Sequence, residues 1–268
     1  MPRKSKYLST QLIRWRTMSI SYPKKDSILA EHCVLLVTLG GSSASLDPDG
    51  DKISTFSKTF ADQWNPKHPT NKVLSISGGA TPFDSSRAAT EEIIAIGNQM
   101  LSLSKKAPKL ILIGKSMGGC KLHKVAERLD EEAVDIDLFI GVDMSCTPAR
   151  HYDNYVNHGD DEKSFPGHVK SLVNFFQNRH GEMQCGHVAL WKGAPSCKLA
   201  GSRSMCRDYN INVNDDFVRI GNNGEVLFEG TEKICDKPVG HMDIDSDPRL
   251  LAALATIIEK RVLAKIAG

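Results

Sequence analysis

The amino-acid sequence predicts an α/β protein with a mainly parallel sheet flanked by helices. Short apolar runs alternate with longer segments of helical period between residues 33 and 142, and this alternation is typical of strand–helix–strand units. The apolar runs are continuous, so both faces of the predicted strands are expected to be buried. The chain has 268 residues, a length that suits one such domain with an insertion.

Each predicted element follows from a local pattern. The apolar runs predict strands at 33–39, 73–77, 110–113 and 136–142. Apolar residues at helical spacing predict helices at about 51–64, at 85–103, directly after the third strand, and from residue 247 onwards. The last of these begins with Asp247-Pro248, a typical helix start. Residues 168–177 are compatible with either a strand or a helix.

Two regions depart from this pattern. Residues 1–30 form a basic N-terminal segment that we expect to be a solvated tail, with contact to an anionic membrane surface as the alternative. Residues 31–268 are expected to form the main domain. Within this domain, the segment of about 152–237 has a polar composition without a regular apolar period, and it is predicted to be a lid or cap inserted before the last helix.

Charge and hydropathy exclude several classes of protein. Lys and Arg number 34 against 32 Asp and Glu, which gives a formal net charge of +2, so we expect no nucleic-acid partner. No signal peptide is recognised at the N-terminus, and every apolar run is shorter than the ~20 residues that a membrane span needs. We therefore predict a cytoplasmic protein.

The seven cysteines do not predict a metal site. Cys33 and Cys120 lie within apolar patterns and are expected to pack as small hydrophobic side chains. A later group of potential zinc ligands has a spacing that matches no common zinc template, so no metal is predicted. That group comprises His180, Cys185, His187 and Cys197.

Residues 114–119, Gly-Lys-Ser-Met-Gly-Gly, match the pattern G-x-S-x-G. They directly follow the third predicted strand and open the next helix. This is the setting of a nucleophile elbow, in which the serine occupies a strained turn and its hydroxyl projects above the sheet. Small residues two before and two after the serine let the strand and the helix approach closely. We predict that Ser116 is a nucleophile, with an ordinary glycine-rich turn as the alternative.

A phosphate-binding loop is the other motif that ends in Gly-Lys-Ser. That motif needs a glycine five residues before Gly114, and the residue there is Lys109. Strand residues also occupy the place of the phosphate-binding loop. A nucleotide site is therefore not predicted.

Several segments resemble the α/β-hydrolases of the lipase and thioesterase-like kind. The resemblance rests on residues 39–42 (Leu-Gly-Gly-Ser), 114–118, 173–177 and 241–245, and it extends over most of residues 33–267. It implies an α/β-hydrolase fold whose catalytic groups follow the order serine, acid, histidine. Residues 179–237 match no segment of that family, and there is little room before residue 33 for the first antiparallel strands that many members have.

His241 is the predicted catalytic base. It lies in a loop, Val239-Gly240-His241, just before the last helix, where it can approach the serine. A serine hydroxyl is a poor nucleophile until such a base accepts its proton. His187 remains the alternative base.

Asp143 is the predicted acid because it ends the fourth strand, one strand–helix unit after the serine. At that position it would lie at the carboxyl edge of the sheet. The alternative is an acid after the following strand, where Glu182 and Asp208 are the first carboxylates. Asp243 and Asp245 are close in sequence to the histidine, and we interpret them as loop and helix-start residues.

Backbone N–H groups are expected to bind the oxyanion. The resemblance places one such donor in the loop after the first strand, at Gly41 or Ser42, and the other at Met117, directly after the nucleophile. A plain strand-ending turn at Gly40-Gly41 is the alternative interpretation.

The resemblance implies hydrolysis of a carboxylic ester or thioester through an acyl-enzyme. The expected substrate is a small-molecule or lipid-like acyl compound, and no cofactor is expected. Two alternatives remain open at this point. One is a hydrolase fold that binds a ligand or partner without turnover, and the other is transfer of the acyl group to an acceptor other than water.

Overall fold

The computed structural model describes seven stretches of the chain: residues 29–41, 52–78, 86–144, 168–177, 207–235, 237–241 and 243–266. The strands of the main sheet are β1 (His32–Leu39), β2 (Lys72–Gly78), β3 (Lys109–Lys115), β4 (Leu138–Val142), β5 (Ser171–Phe176) and β6 (Arg207–Asn212). The helices are α1 (Lys52–Trp64), α2 (Ser86–Ser104), α3 (Met117–Glu131) and α4 (Pro248–Ile258), which continues as a π-helical turn, Glu259–Leu263. A separate hairpin consists of β7 (Arg219–Ile220) and β8 (Val226–Leu227).

The main sheet has the strand order β2-β1-β3-β4-β5-β6, and every neighbouring pair is parallel. The chain therefore leaves β1 on one side to reach β2 and returns on the other side with β3. Ligand sites of open parallel sheets lie at the carboxyl ends of strands beside such a reversal. Here those ends are Leu39 of β1 and Lys115 of β3.

Helices cover both faces of the sheet. Leu35 of β1 packs with apolar side chains of α2 and α3, whereas its neighbour Leu36 packs with those of α1 and α4. Both leucines are fully buried, and each such burial contributes about 2 kcal/mol. The continuous apolar runs of the sequence are thus explained by a sheet that is enclosed on both sides.

The mainly parallel sheet flanked by helices, predicted from the sequence, is confirmed. Residues 168–177, which the sequence left ambiguous, contain the strand β5. The interval of about 152–237, predicted as a lid or cap insertion, contains β5 and β6 of the main sheet and the hairpin β7–β8. Segments 152–167 and 178–206 and residue 236 lie outside the described residues, so the lid or cap stays a prediction.

Several sequence predictions fall on residues that the structure does not describe. These are the N-terminal segment up to residue 28, the predicted oxyanion residue Ser42, the alternative base His187, the alternative acid Glu182, and His180, Cys185 and Cys197 of the cysteine–histidine group. Within the described part of the chain, no helix combines the length and the apolarity needed to cross a membrane.

The described cysteines differ in redox state. Cys33 is a free thiol, and burial raises its pKa. Cys120, predicted to be a simple hydrophobic side chain, is buried and disulfide-bonded. Disulfides are typical of oxidising compartments, and the cytoplasmic location expected from the sequence stays a prediction.

Candidate active site

Ser116 occupies a sharp turn between β3 and α3. Its backbone torsion angles are φ 51° and ψ −128°, a conformation that L-residues rarely adopt and that usually persists only where surrounding structure enforces it. The Ser116 N–H donates to the carbonyl of Val142, the last residue of β4, at 3.1 Å. The turn is thereby tied to the neighbouring strand, and the serine lies at the carboxyl edge of the sheet.

The glycines of the motif are required by close backbone contacts. A Cβ on Gly114 would lie 2.4 Å from the Cα of Gly119, where the strand meets the helix. A Cβ on Gly118 would lie 2.2 Å from the carbonyl oxygen of Leu39, at the end of β1. Neither position has room for a side chain, as a turn of the nucleophile-elbow type requires.

His241 lies between Ser116 and Asp143. Its Nε2 is 2.8 Å from Ser116 Oγ, and its Nδ1 is 2.7 Å from Asp143 Oδ2. All three residues are buried, with exposed fractions of 3 % for the serine, 8 % for the histidine and 1 % for the aspartate. Because a carboxylate only accepts hydrogen bonds, this network assigns the ring proton to Nδ1 and leaves Nε2 to accept the serine proton.

Asp143 follows β4 directly and also has a strained backbone, with φ 42°. Its N–H donates to the carbonyl of Phe175 on β5 at 2.7 Å. Its Oδ2 accepts a second hydrogen bond, from Gln177 Nε2 at 3.2 Å. Gln177 is the residue that follows β5, so the strand end considered as the alternative place for the acid holds an amide that contacts Asp143.

The loop that carries His241 is held on both sides. Before it, Asn214 makes two hydrogen bonds to the backbone of Val239: its Oδ1 accepts from the N–H at 2.9 Å, and its Nδ2 donates to the carbonyl at 3.0 Å. After it, Asp245 lies in a 3-10 turn, Ile244–Ser246, and its Oδ1 is 2.6 Å from Lys115 Nζ.

Sequence reasoning missed these supporting residues. Asn214, Gln177 and Lys115 contact partners that are distant in sequence, and no local pattern distinguishes them from ordinary polar residues. The sequence predicts Asp245 to be a loop or helix-start residue. It does lie in the turn before α4, but its side chain forms an ion pair with Lys115, and Asp247 is the residue that caps the helix.

Two backbone N–H groups lie close to Ser116. A Cβ on Gly41 would be 3.4 Å from Ser116 Cβ and 3.8 Å from its Oγ, so the Gly41 backbone passes directly beside the hydroxyl. The N–H of Gly40 is engaged by the carbonyl of Gly78 at 3.1 Å. Met117 is the first residue of α3, and the first N–H groups of a helix have no acceptor within the helix. Gly41 and Met117 are therefore the described candidates for oxyanion donors.

This arrangement of side chains is suited to proton transfer from the serine hydroxyl to the imidazole. Within the described stretches, no group of three or more His, Cys, Asp or Glu side chains is arranged to hold a metal ion. The chemistry that the site can perform with its own groups is nucleophilic attack by Ser116 Oγ, with His241 as base.

Among the comparisons with known proteins, the comparison with solved structures gave matches. No family model and no curated protein sequence matches the chain. Aspergillus fumigatus lipase B is 11% identical, with a TM-score of 0.38, over 73% of this chain and 47% of that one. The RedJ thioesterase from the prodiginine biosynthetic pathway of Streptomyces coelicolor is 13% identical, with a TM-score of 0.40, over 96% and 97% of the two chains. The NocB thioesterase domain from the nocardicin cluster is 10% identical, with a TM-score of 0.39, over 90% and 97%.

This chain spans about half the length of the fungal lipase. Identities and TM-scores as low as these carry no argument about activity, so the fold is assigned on its own features. A parallel sheet is covered by helices on both faces, a serine follows one of its strands in a strained strand-to-helix turn, and an acid and a histidine follow in that order along the chain. The chain has an α/β-hydrolase-like fold.

Proposed function

We propose that this protein is a serine hydrolase that cleaves a carboxylic ester or thioester, with Ser116 as nucleophile, His241 as base and Asp143 as acid. The observation that carries the proposal is the continuous hydrogen-bonded chain from Ser116 Oγ through both ring nitrogens of His241 to Asp143 Oδ2, with distances of 2.8 and 2.7 Å. A nucleophile within hydrogen-bond reach of a base that a third group orients is the geometric signature of covalent catalysis.

In the first half of the reaction, Ser116 Oγ attacks the carbonyl carbon while His241 Nε2 accepts the hydroxyl proton. The carbonyl oxygen becomes an oxyanion, which accepts hydrogen bonds from the N–H groups of Gly41 and Met117. Asp143 holds the imidazole in the required tautomer and stabilises the imidazolium. The tetrahedral intermediate then expels the alcohol or thiol, which takes the proton from His241, and the acyl group remains on Ser116.

In the second half, His241 takes a proton from water, and the resulting hydroxide attacks the acyl carbonyl. Collapse of the second intermediate releases the carboxylic acid and returns the proton to Ser116 Oγ. These steps use only side chains and backbone groups of this chain. The proposed substrate is a small-molecule or lipid-like acyl compound.

Labelling with a fluorophosphonate probe tests the nucleophile. We expect one covalent adduct on the wild-type protein, located on the peptide that contains Ser116, and none on Ser116→Ala. Ser102→Ala is the matched control because it makes the same change at an exposed serine on α2. An adduct that persists on Ser116→Ala would overturn the assignment.

Turnover of a panel of p-nitrophenyl esters and acyl-thioesters tests the reaction. Ser116→Ala should retain only the residual catalysis that binding and oxyanion contacts give, about 10³–10⁴-fold over water. A wild-type protein that neither reacts with the probe nor turns over any substrate would favour a binding module instead. Acyl transfer is recognised by adding alcohol or amine acceptors, since a transferase forms the new ester or amide in preference to the free acid.

A further inference from the structure

Lys115 and Asp245 form a buried ion pair beside the candidate active site. Their side chains are 9 % and 4 % exposed, and Lys115 Nζ is 2.6 Å from Asp245 Oδ1. The two residues are 130 positions apart in the sequence. Among the described residues, Asp245 is the hydrogen-bonding and ion-pairing partner of the Lys115 ammonium. The mechanism described above uses neither residue.

Stability alone gives no reason for a charged pair at this place. Two charges must be removed from water to form it, and well-packed apolar residues of similar volume are often equally or more stabilising. The role of the pair is therefore expected to depend on the two segments that it connects.

The pair connects the turn of the nucleophile to the turn of the base. Lys115 precedes Ser116 directly. Asp245 follows His241 by four residues, and the N–H groups of Asp243 and Ile244 both donate to the carbonyl of Gly240, the residue before His241, at 3.2 and 3.1 Å. Because these hydrogen bonds join the two ends of a short segment, displacement of Asp245 is expected to displace the imidazole as well.

We propose that Lys115 and Asp245 are positioning residues, which hold His241 Nε2 at hydrogen-bond distance from Ser116 Oγ. The inference rests on the proposed function of Ser116 as nucleophile and His241 as base. The ion pair links β3 directly to the 3-10 turn before α4. Asn214 holds the same loop from the opposite side, at Val239, so the histidine is fixed both before and after its position in the chain.

The decisive variant is the double substitution Lys115→Met with Asp245→Leu, which replaces the pair with apolar side chains of similar size. Either single substitution leaves one buried charge unpaired and should lower Tm by several degrees. The double variant should have a Tm equal to or above that of the wild type. Its kcat should nevertheless fall by roughly ten- to a hundredfold at an unchanged KM, since small displacements of catalytic groups have effects of this order.

Two further measurements distinguish positioning from a purely structural role. In proton NMR, the Nδ1–H of His241, hydrogen-bonded to Asp143, should give a strongly downfield resonance that weakens or disappears in the double variant. This readout requires no turnover, so it remains decisive if the wild type proves inactive and the proposed function itself fails. Lys109→Met is the matched control, because Lys109 lies at the other end of β3 and pairs with Asp137 at 3.2 Å; its kcat should match that of the wild type.

Asp245→Glu provides an independent test if the double variant does not fold. It keeps the charge and the pairing but lengthens the link by one methylene, so kcat should fall by about tenfold at a constant KM. The proposal is overturned if either the folded double variant or Asp245→Glu retains a wild-type kcat and the downfield resonance.

Discussion

Two glycine-to-alanine substitutions at the site should affect different properties: Gly118→Ala should lower stability, and Gly41→Ala should lower activity. Both Gly41 and Gly118 lie next to the nucleophile turn, and the same methyl group is added in each case. At Gly118 the new Cβ would lie 2.2 Å from the carbonyl oxygen of Leu39 and 2.3 Å from that of Gly40. At Gly41 its nearest neighbours would be Ser116 Cβ at 3.4 Å and Oγ at 3.8 Å, which are ordinary van der Waals contacts.

The magnitudes follow from these distances. In an exposed helix, glycine to alanine would stabilise by about 1 kcal/mol, but at Gly118 two rigid backbone segments must separate by more than 1 Å, at a cost of about 3 kcal/mol. For a chain of this size that cost lowers Tm by roughly 6–12 °C. At Gly41 no backbone clash arises, so the free energy of unfolding should change by less than about 1 kcal/mol.

Although Gly41→Ala should leave the free energy of unfolding nearly unchanged, it should lower the activity. The attacked carbonyl carbon must approach Ser116 Oγ to about 3–3.5 Å, and the added methyl group would occupy that approach and crowd the oxyanion. We expect kcat/KM to fall by about a hundredfold.

Differential scanning fluorimetry together with ester hydrolysis measures both effects. The reasoning is refuted if Gly118→Ala has the same Tm as the wild type, or if Gly41→Ala hydrolyses esters at the wild-type rate.

Three further variants test the acid and the charges outside the site. Asp143→Asn should lower kcat by about 10⁴-fold while leaving Tm nearly unchanged, as measured by steady-state kinetics and thermal melts, because the amide stabilises the wrong tautomer. Gln177→Met removes one hydrogen bond to that carboxylate and should lower kcat by about tenfold in the same assay. Burial alone would raise the pKa of Asp135, but hydrogen bonds from His168 and Lys170 outweigh it and hold the pKa well below its usual range. Asp135 therefore stabilises the fold at neutral pH, and Asp135→Asn should cost about 1 kcal/mol there. In urea titrations this difference should be constant above about pH 5 and should shrink as the pH falls from about 4 towards 2; a difference that grows over that acidic range would contradict the assignment.

Local patterns predicted the elements of the fold that are enclosed on both faces. The strands β1 and β3 appear as continuous apolar runs because every side chain in their centres is buried, and the nucleophile turn is contained within six consecutive residues. The edge strand β6 was missed because its sequence, Arg-Asp-Tyr-Asn-Ile-Asn, has no apolar run. An edge strand of the described sheet pairs on one side alone and needs fewer apolar residues.

The supporting contacts of the site could not be predicted, because they depend on tertiary structure alone. Lys115 and Asp245 approach each other across 130 positions. The contact between Asn214 and Val239 spans 25 positions, within a stretch that the sequence suggested was irregular. Single polar residues of this kind follow no period, so their roles become visible when the sheet order brings the strand ends together.

The sheet order also explains why the acid follows β4. Ser116 and Asp143 both have positive φ angles, of 51° and 42°, and such residues cost about 1–3 kcal/mol each. Each N–H continues the hydrogen-bonding pattern one step beyond its strand, to the last residue of β4 and to Phe175 of β5. The serine and the acid are therefore one strand apart, about 4.8 Å in the sheet, a separation that a single imidazole bridges. An acid after β5 would be about 10 Å away and would have to return on a longer loop. At that position this chain has Gln177, whose amide donates to Asp143 instead.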